Sequence, residues 1–337
     1  MPDWFERLTG FREDGYASTQ SRLIVEGAEL VSTVNGTRYG IGELTLPTLA
    51  ELRQRVNTAR GQRSSVSGIV GDARTLHSEP QLAGALFQVA SQFNLLEMTS
   101  QRVTPEQGVT RYAGDPTQGP ACAIAAGAAT IYRNYLVPVG DGIGQTAGCQ
   151  LDALAGLGAA LSKQTGLPVS ALWTMRNGYA LCTGEGLKAI GSLLDQASED
   201  VRDILRSHLA IGLHRDVQVT DVDGNERRLV SQAFCSALPI GYSHLPPPQW
   251  APFARLVLEA TYEATLLAAA EQANAGGSNT ALLTRVGGGV FGNDPSWIDH
   301  AIERALRVVE HAGLDIRIVG HRGVDSGIQG IIDRWAG

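Results

Sequence analysis

The stretch that most constrains the fold runs from residue 280 to residue 305, TALLTRVGGGVFGNDPSWIDHAIERA. Its apolar start, at residues 281–286, predicts a short buried strand of a parallel sheet that is covered on both faces. Three consecutive glycines then end the strand. Asp294 supplies an N-cap and Pro295 a first helical residue, and apolar residues at helical spacing follow from Trp297 onward. The stretch therefore predicts a strand, a glycine-rich loop and a helix in succession.

The loop in this stretch has the features of a phosphate-binding site. Glycine permits positive φ values and lets a ligand approach the backbone. Unpaired N–H groups beside a helix N-terminus attract anions. We therefore predict that this loop holds a diphosphate through its backbone, with the following substrate-binding residues: Gly287, Gly288, Gly289, Val290, Phe291, Gly292 and Asn293. The alternative is a tight turn whose glycines only relieve packing.

The order of elements near the end of the chain predicts an α/β fold. A long helix at residues 251–273, the strand and glycine loop, a helix and a last strand at residues 316–319 follow one another. Right-handed crossovers join such units into a mostly parallel sheet with helices on both faces. With 337 residues, the chain has room for one large domain with insertions. We predict an accessory segment over residues 1–60 and the main domain over residues 61–337.

Composition excludes several classes of function. A formal net charge of −7 disfavours a nucleic-acid grip, which needs a basic face. No stretch reaches the roughly 18 apolar residues of a membrane span, and the N-terminal residues lack an apolar signal core. The four cysteines are scattered without a CxxC pair, which indicates reduced thiols. We therefore expect a cytoplasmic protein that binds neither nucleic acid nor membrane.

Established cofactor and metal motifs are missing. The sequence has no GxxxxGK[ST], no GxSxG and no HExxH, and GxGxxG followed by an acidic residue about 20 positions later is absent in the form that a Rossmann dinucleotide site needs. The seven histidines show no ligand spacing. We therefore predict no metal site and no cofactor.

Polar residues near loops supply the remaining candidates. A strand predicted over residues 87–94 places Gln92 and Asn94 at its carboxyl end, where open α/β sheets bind ligands. The rigid polar loop at residues 115–120 and the Gly-Asp pair that ends in Asp72 are further candidates. Any one of these side chains could instead be a cap or turn former. A strand is also predicted over residues 130–139, and a hairpin turn at Asp223-Gly224.

These motifs resemble the macrodomain superfamily. LLTRVGGGVFGNDPSWIDHAIERAL followed by DIRIV is similar to the closing part of that fold, in which the glycine loop holds the diphosphate of ADP-ribose. The resemblance implies a three-layer macrodomain-like fold over roughly residues 66–320. VGDARTL resembles the Gly-Asp whose acid meets the adenine amino group, which implies that role for Asp72. VASQFN loosely resembles the run that meets the distal ribose, which implies that role for Asn94.

Two branches of the superfamily are similar to this chain. FQVASQFN, DPTQGPACAIA and GGGVFGN together resemble the divergent MavL-type branch of bacterial effectors, which hydrolyse ADP-ribose from modified ubiquitin. The triple glycine is more distantly similar to poly(ADP-ribose) glycohydrolases, but the Gln-Glu-Glu that follows it there is missing here. Residues 1–60 match neither branch.

The resemblance implies an ADP-ribosyl hydrolase whose partner is ADP-ribose or an ADP-ribosylated protein. Gln92 and Asn94 would hold the distal ribose, and Gln118 and Gly119 are further substrate-binding candidates. The catalytic candidates that would position water are Asp115, Asp294 and, less directly, Asp325. Two alternatives stay open, namely a non-catalytic reader of ADP-ribose and an α/β enzyme that uses NAD or a sugar nucleotide.

Overall fold

The computed structural model describes residues 2–58, 61–222 and 227–336. The helices are α1 (Trp4–Thr9), α2 (Tyr16–Gln20), α3 (Leu49–Arg55), α4 (Ala73–His77), α5 (Gln118–Ala125), α6 (Gly127–Tyr135), α7 (Ala155–Thr165), α8 (Val169–Leu172), α9 (Gly184–Gln196), α10 (Glu199–Ser207), α11 (Pro247–Asn274), α12 (Pro295–Val308) and α13 (Ser326–Ala336). The strands are β1 (Leu23–Glu26), β2 (Glu29–Ser32), β3 (Arg38–Gly40), β4 (Glu43–Thr45), β5 (Ser65–Val70), β6 (Leu86–Ala90), β7 (Pro138–Val139), β8 (Gly142–Ile143), β9 (Trp173–Arg176), β10 (Tyr179–Cys182), β11 (Gly212–Gln218), β12 (Leu229–Cys235), β13 (Thr280–Leu283) and β14 (Asp315–Gly320).

A mixed seven-stranded sheet forms the centre of the molecule, in the order β4-β11-β12-β6-β13-β14-β5. The five strands from β12 to β5 run parallel to one another. The strands β11 and β4 are added antiparallel at one side. The predicted α/β class with a mostly parallel sheet is therefore confirmed.

Successive residues of the central strands face two different layers, because side chains alternate along a strand. Ala281 and Leu283 of β13 pack in the large core that includes α11 and α12. Leu282 between them packs with Leu76 of α4 and Ala129 of α6 on the other side. Helices therefore cover both faces of the sheet, which gives the three layers that were expected.

The closing part of the chain forms as predicted. The strand β13 is buried, the glycine loop follows, and α12 begins directly after its N-cap Asp294. The Asp294 side chain accepts hydrogen bonds from the Ser296 backbone N–H at 2.8 Å and its hydroxyl at 2.5 Å. The last strand, β14, pairs in parallel with β13. Sequence and structure agree here because each element carries its own local signal.

One predicted strand is wrong, and another ends earlier than expected. Residues 127–135 form the helix α6 where a strand was expected over residues 130–139. Ile131, Tyr132 and Tyr135 fit helical spacing as well as a strand, and Arg133 and Asn134 are fully buried, so no polar face marks the helix. The strand expected over residues 87–94 ends at Ala90.

The N-terminal segment packs against the layer formed by α5 and α6. Its three-stranded sheet, β1 to β3, and the helices α1 and α2 share a small core with Tyr112, Ile131 and Tyr135. The strand β4 instead extends the main sheet beside β11, and α3 packs on α11. The division at residue 60 stays a prediction. The turn predicted at Asp223-Gly224 lies outside the described residues, although the flanking strands β11 and β12 pair antiparallel.

Across the described ranges, every helix falls short of the length and apolar character that a bilayer crossing requires. All four cysteines are free thiols.

His77 is a fully buried histidine that bonds at both ring nitrogens. Its Nδ1 lies 2.7 Å from the Ala73 carbonyl oxygen, and its Nε2 lies 3.0 Å from the Gln232 amide nitrogen. The ring also stacks on Phe87 at 3.8 Å. These partners fit a neutral ring that donates from Nδ1 and accepts at Nε2. Burial lowers the pKa of His77 from its ordinary 6.5 to about 4.

The lowered pKa predicts an acid-sensitive contribution to stability. Between pH 6.5 and pH 4 the unfolded chain binds more protons at this residue than the folded chain, so stability falls as pH falls. The loss attributable to His77 is about 3 kcal/mol across that window. Urea unfolding from pH 7 to pH 4 should show this loss in the wild type and a smaller one in His77→Gln. His300→Gln, at an exposed position, should lose as much as the wild type. An equal loss in all three proteins would contradict the prediction.

Candidate functional site

The site begins where two central strands separate. The strands β6 and β13 pair only at two positions, Leu86 with Ala281 and Phe87 with Leu282. Beyond these two positions, the side chain of Gln118 forms hydrogen bonds with the β6 backbone where β13 no longer pairs with it. Its Oε1 accepts from the Ala90 backbone N–H at 2.8 Å, and its Nε2 donates to the Gln88 carbonyl at 2.9 Å. The separation opens the sheet at its carboxyl edge while the backbone groups of β6 stay paired.

A cleft of about 900 Å³ lies at this edge. It extends over the carboxyl ends of β5, β6, β13 and β14, which is where parallel α/β sheets bind ligands. Its volume suits a ligand larger than a single nucleoside. The walls come from well-separated parts of the chain, including the segments near residues 72, 92, 97, 115, 179, 242, 287 and 321.

The glycine loop forms one wall, and its shape depends on two residues with positive φ. Gly287 has φ +79°, and a Cβ there would lie 2.5 Å from the Cβ of Ala237. Gly292 has φ +70° at the other end of the loop. The buried side chain of Asn293 closes the loop, because its Nδ2 donates to the carbonyls of Leu238 at 2.9 Å and Gly287 at 3.3 Å. The loop is therefore fixed before any ligand binds.

Four backbone amides of this loop are available to a ligand. Internal hydrogen bonds use the N–H groups of Gly288, Gly292 and Asn293. Within the described ranges, no acceptor is bonded to the N–H groups of Gly287, Gly289, Val290 and Phe291. Gly289 has open space where a Cβ would be, and Val290 is exposed. A set of neighbouring free amides at a strand end favours a bound anion such as a diphosphate.

Asp72 and His321 follow the ends of β5 and β14 and also line the cleft. Asp72 is the N-cap of α4, and its Oδ1 accepts from the N–H groups of Arg74 at 3.0 Å and Thr75 at 3.2 Å. Its Oδ2 has no partner among the described residues. Asp72 is exposed on the cleft side, so this oxygen can accept a hydrogen bond from a ligand amino group.

Three aromatic rings form a continuous apolar wall beside the glycine loop. The rings of Tyr179, Tyr242 and Phe291 lie 5.1 to 5.7 Å apart, centroid to centroid. The Tyr179 hydroxyl donates to the Met98 carbonyl at 2.7 Å. Burial raises the pKa of Tyr179, and the charges of Tyr242 and Asp115 raise it further. The hydroxyl therefore stays protonated, and the Asp115 carboxylate lines the same cleft.

The predicted residues of the polar loop all line the cleft. Asp115 accepts at Oδ1 from the Thr117 N–H at 2.9 Å and hydroxyl at 2.6 Å, and its Oδ2 has no partner in the described part of the chain. The Gln118 amide is bonded to β6 and holds the sheet open. Gly119 packs its Cα against the Ala90 carbonyl, because a Cβ there would lie 2.0 Å from that oxygen. Asp115 is thus the member of this loop with a free oxygen.

The other predicted residues divide between the cleft and its surroundings. Gln92 lines the cleft, but its Oε1 accepts from the Met98 N–H at 2.5 Å. Asn94 is fully buried outside the cleft, where it donates to Gln150 and accepts from the Leu96 N–H. Asp294 and Asp325 also lie outside it, the former as the cap of α12. Asp325 accepts from the Ile328 N–H and pairs with Arg285 at 3.6 Å.

The sequence prediction missed several residues of the cleft. Tyr179, Tyr242, Arg111 and Arg285 line it, and so does Glu97, whose carboxyl is buried. Glu97 stands alone in an apolar run, LLEM, and no spacing rule singles it out. An acidic residue isolated in an apolar run was the signal that could have identified it, because buried acids are rare in proteins unless they are paired or functional. Among the described residues, no group of three or more metal-ligating side chains is placed to hold a metal ion.

Comparisons with known proteins found similarity in three-dimensional structure but none in sequence families. No protein-family model and no curated protein sequence matches it. The poly(ADP-ribose) glycohydrolase of Thermomonospora curvata has a TM-score of 0.45 at 13% identity, with 95% of this chain and 97% of that chain covered. The same enzyme bound to the inhibitor ADP-HPD has a TM-score of 0.44 at 14% identity, with 95% and 97% covered. The Deinococcus radiodurans enzyme in complex with ADP-ribose has a TM-score of 0.43 at 13% identity, with 96% and 98% covered. Similarity of this degree assigns no role to any residue of the cleft.

Two glycines of the loop should respond differently to the same added methyl group. Gly287→Ala forces a positive φ on alanine and a contact with Ala237, so we expect a loss of about 1–3 kcal/mol in the free energy of unfolding. Gly289→Ala meets open space, and its stability should stay within about 0.5 kcal/mol of the wild type. Urea unfolding of both variants measures the difference. Equal losses would show that the loop is not fixed at Gly287.

Proposed function

We propose that the cleft binds ADP-ribose and that the protein hydrolyses glycosidic ADP-ribosyl linkages on modified protein side chains. The observation that carries this proposal is the set of four free amides on a loop whose shape is fixed by Gly287, Gly292 and Asn293. Backbone amides at such a loop bind the two phosphates without a large positive charge, in agreement with a net charge of −7.

Different parts of the cleft lining suit the two halves of this ligand. An adenosine placed toward β5 and β14 would present its amino group to the free Oδ2 of Asp72. The second ribose would then lie toward Tyr179 and Phe291, since the apolar ring faces suit the faces of a sugar. Gly289 and Val290 also line the cleft, and their free N–H groups would hold the diphosphate.

We favour hydrolysis over simple binding because Asp115 lines the cleft with a carboxylate oxygen that has no partner among the described residues. Asp115 is held by Thr117 through one oxygen and offers the other to the cleft. In that position it would accept the proton of an attacking water and stabilise positive charge on the sugar. A reader needs no such group. The four free cysteines suit a reducing compartment such as the cytoplasm.

The proposed diphosphate position is tested by a matched pair of variants at one residue. Gly289→Asn and Gly289→Asp add side chains of nearly equal size into open space. We expect Gly289→Asn to bind ADP-ribose within a few-fold of the wild type. The aspartate places a negative charge against the phosphates and should weaken binding by roughly 10- to 100-fold, or ~1.4–2.7 kcal/mol.

Isothermal titration calorimetry with ADP-ribose, NAD and a UDP-sugar measures this effect and separates the alternatives. Tight binding of NAD without binding of ADP-ribose would favour an enzyme of another class. Equal affinities of the two Gly289 variants for ADP-ribose would place the diphosphate elsewhere.

The role of Asp115 predicts a loss of turnover without a loss of binding. Asp115→Asn keeps the size of the side chain and its acceptor for Thr117, but removes the carboxylate. We expect release of ADP-ribose from an ADP-ribosylated protein to fall about 100-fold or more, with the affinity for ADP-ribose unchanged. Chromatographic detection of released ADP-ribose measures the rate. A wild-type protein that binds ADP-ribose and releases none is a reader, and unchanged turnover in Asp115→Asn removes this residue from the role.

A further inference from the structure

Glu97 is a buried acid that borders the cleft, and among the described residues its carboxyl group has no hydrogen-bonding partner. The residue is 2% exposed, and it lies on the cleft wall together with Met98 and Thr99. Within the described part of the chain, neither Oε1 nor Oε2 is hydrogen-bonded. A buried carboxyl group without partners carries a large desolvation cost, which a purely structural residue rarely retains.

The groups that face Glu97 come from three neighbouring elements. Nη2 of Arg133, on α6, lies 3.6 Å from Oε1. The hydroxyl of Tyr112 accepts from the Glu97 backbone N–H at 3.3 Å, and Cys122 lies on the facing helix α5. Burial raises the pKa of Glu97 to about 7, although the positive charge of Arg133 acts in the opposite direction. The carboxyl group therefore holds a proton in a large fraction of molecules near neutral pH.

Arg133 does not need Glu97 as its partner. Its Nε donates to the Leu95 carbonyl at 3.1 Å, and its Nη2 donates to the Thr130 hydroxyl at 3.0 Å. The guanidinium also lies over the ring of Phe234, 3.8 Å from its centroid. At 3.6 Å and without a hydrogen bond, the contact with Glu97 is the weakest of these. An ion pair that holds Arg133 in place is therefore a poor account of Glu97.

Glu97 would reach a ligand in the cleft by rotation of its carboxyl group. This rotation breaks no hydrogen bond among the described residues and gives up only the 3.6 Å contact with Arg133. Gly119 provides space beside it, since a Cβ at that position would lie 3.1 Å from the Cγ of Glu97. Gly119 itself lines the cleft next to the loop that carries Asp115.

We propose that Glu97 is the general acid of the reaction and donates its proton to the atom that leaves the distal ribose. This inference rests on the proposed hydrolase function. As the bond from C1″ to the leaving oxygen or nitrogen breaks, the bonding electrons stay with the leaving atom, which takes the Glu97 proton. The oxygen of a water molecule forms the new bond to C1″, and the proton of that water passes to the Asp115 carboxylate. Exchange with solvent then returns both carboxyl groups to their starting states.

The test compares substrates with different leaving groups. Glu97→Gln keeps the size of the side chain but cannot donate an acid proton. With an ADP-ribosylated protein we expect kcat to fall about 100-fold or more, while calorimetry shows unchanged affinity for ADP-ribose. With an ADP-ribose conjugate of 4-nitrophenol, whose leaving group needs no proton, the variant should stay within a few-fold of the wild type. Glu97→Asp keeps the acid with a shorter reach and should exceed Glu97→Gln on the protein substrate.

The pH profile of the wild type gives a second measurement that needs no variant. The kcat for the protein substrate should decline as pH rises through about 7, since the acid must be protonated, and the 4-nitrophenyl conjugate should show no such limb. An equal loss on both substrates, or the same alkaline limb with both, overturns the assignment of Glu97. A wild type that cleaves neither substrate overturns the proposed function as well, so the two failures are distinguishable.

Discussion

The separation of β6 from β13 is the constraint on which the rest of the site depends. Two strands that part in the middle of a sheet leave backbone groups that must be bonded in another way. The Gln118 side chain bonds the backbone N–H of Ala90 and the carbonyl of Gln88 on β6. The Gln88 side chain accepts from the Thr284 N–H, just after β13, at 3.1 Å. Because these two amides complete the sheet, the opening is a stable part of the fold.

Hydrogen bonds of Glu13 link the cleft wall to the N-terminal segment. Glu13 accepts from the backbone N–H groups of Val109 at 2.8 Å and Thr110 at 2.9 Å, and from the Tyr135 hydroxyl at 2.7 Å. Residues 109–110 lead directly into the loop that carries Asp115. Glu13 therefore supports the outer wall of the cleft from the N-terminal segment.

Local signals made the glycine side of the site predictable. A buried strand, three glycines, and an Asp-Pro pair each impose their own conformation, so β13, the loop and α12 follow from residues that are adjacent in sequence. The other side could not be predicted in this way. Residues 130–135 are buried except for the half-buried Tyr132, and they fit two periodicities. The positions of the Glu97 and Asn94 side chains depend on contacts with residues far along the chain. Asn94 lies only four residues beyond β6, but its side chain lies outside the cleft. The chain turns there, and the next residue, Leu95, has a positive φ.

The scattered origin of the cleft walls has a thermodynamic consequence. Residues from both ends of the chain and from its middle, such as Asp72, Tyr179 and His321, come together only when the whole sheet and both helical layers are formed. A ligand that contacts them all can bind only the fully folded chain. Occupancy would then raise the melting temperature of the entire molecule in proportion to the logarithm of ligand concentration, rather than stiffen one loop alone.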